Sequence, residues 1–139
     1  MRTTLLLVAL AGAGLLLAAS PAAAHHAFSA EFDANRPLHL HGTITRTEWI
    51  NPHSWIHIDV VGEDGQTVTW AVECGAPNSL LRRGLNKNSI PVGTELVIDG
   101  FGAKNGSNTA NARDITLPDG SNFFVGSSGT GAPYDPSRR

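Results

Sequence analysis

The sequence has very little of three residue types that often reveal the function of a small protein. Its 139 residues include one cysteine, one methionine and one tyrosine. A single cysteine excludes an internal disulfide, and it also excludes CxxC redox and haem-attachment motifs. Stability must therefore come from packing and from hydrogen bonds within a sheet. Cys74 is predicted to be a small buried hydrophobic residue, as free cysteines usually are.

Excess positive charge is also missing. The chain has 10 Lys and Arg against 12 Asp and Glu, which gives a formal net charge of −2 with neutral histidines. Binding to nucleic acid needs a concentrated basic surface to contact the phosphates, so we expect no nucleic-acid partner. The sequence also lacks a glycine-rich loop of the kind that cradles phosphates.

Long apolar runs are absent except at the N-terminus. Met1-Arg2 is positively charged, Leu5 to Ala19 is almost entirely apolar, and Ala22-Ala23-Ala24 has the small residues of a cleavage site. The apolar run is shorter than the about 20 residues of a membrane-spanning helix. Residues 1–24 are therefore predicted to be a cleavable signal peptide, with an uncleaved anchor as the alternative. We expect the mature protein to be periplasmic and free of the membrane.

The rest of the chain is predicted to contain one domain. Residues 25–37 show no pattern and are interpreted as a leader, residues 38–125 as the domain, and residues 126–139 as a disordered tail. Alternating apolar and polar residues predict strands in the domain. The predicted strands are residues 38–45, 54–61, 67–73, 95–101, 112–117 and 122–125.

A short helix is predicted between the third and fourth strands, within the segment of residues 76–84. Pro77 lies in its first turn, Arg82 and Arg83 in its last turn, and Gly84 directly after it. Three strands, a helix and two or three further strands are the element order of a small OB-like β-barrel. The predicted fold class is therefore all-β with one short helix and five to six strands. A β-sandwich is the less favoured alternative, because a helix interrupts the strands.

Histidine placement is the most informative feature for function. All six histidines fall between residues 25 and 57. Cleavage after Ala24 would make His25 the new N-terminus, where its α-amine and its ring Nδ1 can chelate a metal together. One further imidazole would complete a three-nitrogen arrangement that suits copper. The candidates for this further ligand are His26, His39, His41, His53 and His57.

Strand spacing offers a second way to bring histidines together. His39 and His41 are two residues apart on a predicted strand and therefore project from the same face. His53 and His57 would also share a face if their strand began at His53. Polar decoration of a solvated strand face is the alternative for both pairs, and for the terminal histidines the alternative is a polar leader that exposes the cleavage site.

Two functions other than metal binding are also considered. Glu48, His53 and Ser54 would supply a charge, a base and a nucleophile, but no nucleophile elbow surrounds Ser54, so an enzyme is the less favoured reading. Trp55 shares a strand face with His57 and Asp59, which would form an aromatic and polar ligand patch on an accessory module that binds a periplasmic protein partner. Trp70 shares a face with Val68 and Val72 and is predicted to lie in the core.

Five segments stand out together, namely His25-His26-Ala27-Phe28, Phe32-Asp33, Glu48-Trp49-Ile50-Asn51-Pro52-His53-Ser54-Trp55, Asn78-Ser79-Leu80-Leu81-Arg82-Arg83-Gly84 and Gly106-Ser107-Asn108-Thr109-Ala110-Asn111-Ala112-Arg113. Together they resemble a family of small exported bacterial proteins catalogued as a domain of unknown function. The Trp-x-Asn-Pro-His segment is the most specific of them. The resemblance implies that the paired histidines and the Asn-Pro-His loop belong to the family pattern, whereas His39, His41 and Cys74 do not.

These observations give one preferred metal site. Its predicted ligands are His25, His26 and His53, with Glu48 and Asn51 as residues that would orient an imidazole. The preferred function is an exported binding protein for copper or another transition metal. An accessory module that binds no metal is the alternative.

Overall fold

The computed structural model describes residues 28–126, which form six strands and two short helical segments. The elements are β1 (Phe32–Glu48), β2 (Trp55–Val61), β3 (Thr67–Glu73), α1 (Pro77–Arg82), β4 (Glu95–Ala103), β5 (Thr109–Thr116) and β6 (Asn122–Phe124), with a further helical turn at residues 28–31. The prediction of a mostly β domain with five to six strands and a short helix is confirmed. The predicted signal peptide, His25 and His26 lie outside the described residues.

The strands form one sheet that closes on itself. The strand order is β3-β2-β1-β4-β5-β6, and β3 also pairs with β5. Every neighbouring pair is antiparallel except β3 and β5, which are joined in parallel by three residue pairs, the last of which is Glu73 with Asn111. The result is a closed ring of strands. No helix among residues 28–126 has the length and apolar character needed to cross a membrane.

The core lies inside this ring and follows the alternation seen in the sequence. Ile56 and Ile58 on β2 are buried, while the residues that alternate with them are partly exposed, namely Trp55, His57 and Asp59. On β1, Leu40 is buried between two exposed histidines, His39 and His41. Trp70 packs against the core, as predicted. Cys74 is only 1% exposed, so its predicted burial is also confirmed.

A second, smaller apolar cluster lies apart from the main core. It consists of Phe28, Phe32, Phe101 and Ala103. The ring of Phe28 lies 5.6 Å from that of Phe101 in an edge-to-face arrangement and 5.7 Å from that of Phe32. This cluster holds the helical turn at residues 28–31 against β4.

The first strand is longer than the sequence pattern predicts. We predicted its start at Leu38, but β1 begins at Phe32, which pairs with Ala103. The register shifts between Phe32 and Pro37. Such an irregularity breaks the two-residue period, so residues 32–37 show no alternation even though they are part of the sheet.

The predicted helix is present, and Arg83, which directly follows it, contacts the end of the described chain. Pro77 occupies the first turn of α1, Arg82 the last, and Gly84 has a positive φ of 87°. Arg83 Nη1 donates a hydrogen bond of 2.8 Å to the carbonyl oxygen of Gly126, and its guanidinium lies 4.6 Å from the ring centroid of Phe124. Burial, and secondarily the charge of Arg82, lowers the pKa of Arg83. The chain is therefore anchored to the domain up to Gly126.

Candidate functional site

A histidine–carboxylate pair lies where the Asn-Pro-His loop meets the end of β3. His53 follows the cis Asn51-Pro52 peptide and directly precedes Ser54, whose backbone N–H donates to Gly75 and whose carbonyl accepts from Cys74. These bonds hold the loop beside β3. The Nδ1 atom of His53 lies 2.9 Å from Oε1 of Glu73, with the side chains 27% and 8% exposed respectively. A buried carboxylate therefore orients an imidazole that still reaches the surface.

Glu73 is itself held by a buried amide. Glu73 and Asn111 are direct partners in the parallel pairing that closes the ring. Asn111 Nδ2 donates to Glu73 Oε1 at 3.3 Å, while Asn111 Oδ1 is buried and has no hydrogen-bond partner among the described residues. An unpaired buried oxygen is uncommon in folded proteins and is often found at functional positions. The site is thus built on the parallel pairing of β3 with β5, which closes the ring of strands.

The electrostatics of this site disfavour its bare negative charge. Burial is the largest effect on the pKa of the Glu73 carboxyl, and it raises that pKa. His53 and, more weakly, the Asn111 amide lower it, whereas the charge of Glu31 adds to the rise. Cys74, next in the chain, also has a raised pKa because of burial and because of Glu73, so its thiol is not a ready ligand. Two carboxylates, Glu31 and Glu73, thus act on the same small region, where a bound cation would be favourable.

The N-terminal part of the domain leads directly to this site. Phe101 pairs with Asn111, and Asn111 pairs with Glu73, so the three residues form a row across adjacent strands. Phe28 packs on Phe101, at the start of this row. Phe28, the first described residue, is therefore linked through Phe101 and Asn111 to Glu73.

Of the two residues predicted to orient an imidazole, Glu48 contacts the ring of His57. Glu48 Oε1 lies 2.8 Å from His57 Nε2, and Arg46 contacts both of these side chains at 2.9 Å. Asn51 is exposed. The carboxylate on His53 is Glu73, which the sequence analysis did not select. His57 and Trp55 are both partly exposed. Trp49 and Trp70 are also partly buried, and both pack against the main core.

The geometry gives little support to the hydrolytic set of Glu48, His53 and Ser54. Ser54 is 2% exposed, so its hydroxyl is not presented to a substrate. Glu48 contacts His57, and the carboxylate partner of His53 is Glu73. Within residues 28–126 no group of three or more His, Cys, Asp or Glu side chains is placed to hold a metal ion. A metal held by three or more such side chains and centred on His53 would therefore need ligands from outside residues 28–126.

Comparison with known proteins identifies the family. The model of a family of unknown function, DUF6152, matches residues 12–112. The chain belongs to the DUF6152 family. No curated protein and no solved structure was found to match it. The part matched to DUF6152 includes every residue of the candidate site, namely His25, His26, His53, Glu73 and Asn111.

Two residues of this candidate site, Glu73 and Asn111, were missed by sequence reasoning. A weak signal exists for Glu73, because it ends an apolar strand and directly precedes the buried Cys74. Asn111 shows a similar signal, since it lies between Ala110 and Ala112, which are both fully buried. A polar residue within a buried run is unusual and needs a partner. The identity of that partner depends on the parallel closure, which no local pattern reveals.

Proposed function

We propose that this domain is an exported, periplasmic binding protein that holds a copper ion through nitrogen ligands. The proposed ligands are His53 Nε2 and the terminal chelate of His25 with His26. Export rests on the signal-peptide pattern of residues 1–24. Copper is preferred because imidazole nitrogens suit it and because it heads the divalent affinity series.

The single observation that carries this proposal is the contact between His53 Nδ1 and the buried carboxylate of Glu73. An ionised carboxylate can only accept hydrogen bonds, so Nδ1 donates to it, and in the neutral imidazole Nε2 then keeps its lone pair. Metal-binding histidines commonly show this arrangement, in which a carboxylate fixes the tautomer and raises the basicity of the ligating nitrogen. His53 is thus prepared to act as a ligand before any metal arrives.

The charge of the site supports a cation as its ligand. Glu31 and Glu73 both carry carboxylates that act on one region, and burial penalises the ionised form of Glu73. A metal cation beside His53 would offset that penalty. Phe28 and Glu31 are one helical turn apart and therefore neighbours on the helical turn at residues 28–31.

The test is copper binding by the mature full-length protein. A native mass spectrum of protein purified from the periplasm, without chelators or nickel resin, is expected to show a chain beginning at His25 with one tightly held copper. His53→Ala is expected to lower Cu(II) affinity by about 100-fold in a chelator competition, since it removes a ligand and not merely an orienting group. The double variant His25→Ala/His26→Ala should lose at least as much.

His57→Ala is the matched control, because His57 Nε2 already contacts Glu48 and Arg46. It should leave the tight copper site unchanged. The proposal is wrong if the His53 and His25/His26 variants hold copper as tightly as the parent protein, or if the mature chain begins elsewhere and its tight site does not involve His53.

A pair of carboxylate variants identifies which acidic residue orients the ligand. Glu73→Gln keeps the side-chain shape but removes the negative charge that contacts His53 Nδ1. It is therefore expected to lower copper affinity about tenfold. Glu48→Gln makes the same chemical change beside His57 and is expected to leave that affinity unchanged. Both affinities are measured by chelator competition. The opposite ranking would favour Glu48 as the orienting residue, as the sequence analysis proposed.

The second candidate is an accessory module that uses the face of Trp55 to bind a periplasmic protein. It is favoured by the partial exposure of Trp55 and His57 on neighbouring outward positions of β2. Under this proposal Trp55→Ala would abolish binding to the partner and leave copper binding unaffected. The copper measurements above separate the two candidates.

A further inference from the structure

A different pair of histidines lies on the outer face of β1. His39 and His41 are alternate residues of this strand, and both are exposed while Leu40 between them is buried. Alternate residues of a strand project from the same face, with Cα atoms about 7 Å apart. The two imidazoles therefore stand side by side with solvent around them.

One of these imidazoles is oriented by a carboxylate on the neighbouring strand. His39 and Asp99 are direct partners between β1 and β4. His39 Nδ1 lies 2.9 Å from Asp99 Oδ1, with the side chains 71% and 22% exposed. Because the carboxylate accepts the hydrogen bond, Nδ1 donates to it, and in the neutral imidazole Nε2 offers its lone pair to solvent. This repeats, on another strand, the arrangement found at His53.

The side chains next to the two imidazoles on the neighbouring strands offer no further ligand. Asp114 lies next to Asp99 on β5, but its Oδ2 accepts a 2.6 Å hydrogen bond from Arg113 Nε. Arg113 therefore neutralises that carboxylate. The partner of His41 on β4 is Val97, which has no ligating group.

We propose that His39 and His41 form a second metal site, which takes a divalent transition metal that prefers imidazole, Cu(II) most tightly. Its two nitrogen ligands come from one strand, and Asp99 positions the first of them. Since no third ligating side chain joins them within residues 28–126, water completes the coordination. Such a site binds more weakly and exchanges its metal faster than a three-nitrogen chelate.

The site is independent of the proposed copper centre at His53. The His39 pair lies where β1 contacts β4, whereas His53 contacts the end of β3. The two sites share no ligand and no orienting carboxylate. Either site can therefore be removed by mutation while the other is measured.

The test is a titration of the mature full-length protein with Cu(II) alone, followed by calorimetry and by NMR of the histidine ring protons. Two equivalents are expected, with the weaker one broadening the ring signals of His39 and His41. The double variant His39→Ala/His41→Ala should bind one equivalent fewer, while the tight site remains. His57→Ala is the control and should keep both equivalents.

A variant of the orienting residue separates positioning from nonspecific attraction. Asp99→Asn is expected to weaken the second site about tenfold and to leave the tight site unchanged. In His53→Ala the second site should persist. The inference is overturned if the His39→Ala/His41→Ala protein, with an unchanged circular dichroism spectrum, binds Cu(II) with the parent stoichiometry and affinities. Unchanged His39 and His41 ring signals during the titration would overturn it as well.

Discussion

Gly100→Ala is expected to destabilise the domain by about 3 kcal/mol or more, which is a large share of the stability of a small protein. Gly100 lies on β4 at a register shift opposite β5. A Cβ atom there would overlap the backbone carbonyl oxygen of Asn111 and lie 3.1 Å from Ala112 Cα. Both neighbours are backbone atoms of the sheet, so no side chain can rotate to make room. The free energy of unfolding in urea measures the effect.

The same substitution is expected to disturb the candidate site, because Asn111 donates to Glu73 from the strand that would be pushed away. Gly62→Ala is the matched control. A Cβ at Gly62 would come close to Asp64 Oδ1, at 2.8 Å, and would lie at an ordinary contact distance of 3.6 Å from the Gln66 carbonyl oxygen. The exposed Asp64 side chain can move away. A Gly100→Ala protein as stable as Gly62→Ala would show that β4 and β5 are not packed as described.

Phe28→Ala is expected to remove about 3 kcal/mol from the packing of the N-terminal turn on β4, as large-to-small changes at buried aromatics do. Phe28 is 4% exposed and contacts both Phe32 and Phe101. If the terminal histidines reach His53 through this anchor, the variant also loses copper affinity. Urea unfolding and chelator competition measure the two effects separately.

A double-mutant cycle makes this prediction specific. Once Phe28→Ala has separated the terminal histidines from His53, adding His53→Ala is expected to cost little further affinity, so the two effects should not add. Phe28→Leu keeps most of the buried volume and is the control that should retain copper affinity. Fully additive losses would mean that Phe28 does not position the terminal ligands.

Much of the fold follows from local patterns, and the exceptions have physical causes. The third strand, Thr67–Glu73, was predicted with the observed bounds because Val68, Trp70 and Val72 recur at every second position of its sequence. The start of β5 at Thr109 was missed, since Ala110, Asn111 and Ala112 are all buried and show no alternation. The start of β1 was missed because of its register shift. Periodicity thus detects regular strands with one solvated face and fails where both faces are covered.

The candidate site was predictable only in part for a similar reason. The Asn-Pro-His loop was recognised from the residues themselves, and His53 was selected with it. Its carboxylate partner was not, because Glu73 is 20 positions away and reaches His53 only after the loop packs on β3. Asn111 is more distant still and depends on the pairing of β3 with β5. Sequence proximity had favoured Glu48, which the fold directs to His57.

The parallel joint between β3 and β5 has a consequence for the dynamics of the domain. It consists of three residue pairs, from Ala71 with Thr109 to Glu73 with Asn111, and is much shorter than the antiparallel pairing of β1 with β4. Local opening is easiest where the fewest bonds must break at once. The amides of this joint should therefore exchange with deuterium sooner than those of β1. A ligand that tightens the contact between His53 and Glu73 would slow that exchange, so the closure of the sheet would report occupancy of the site.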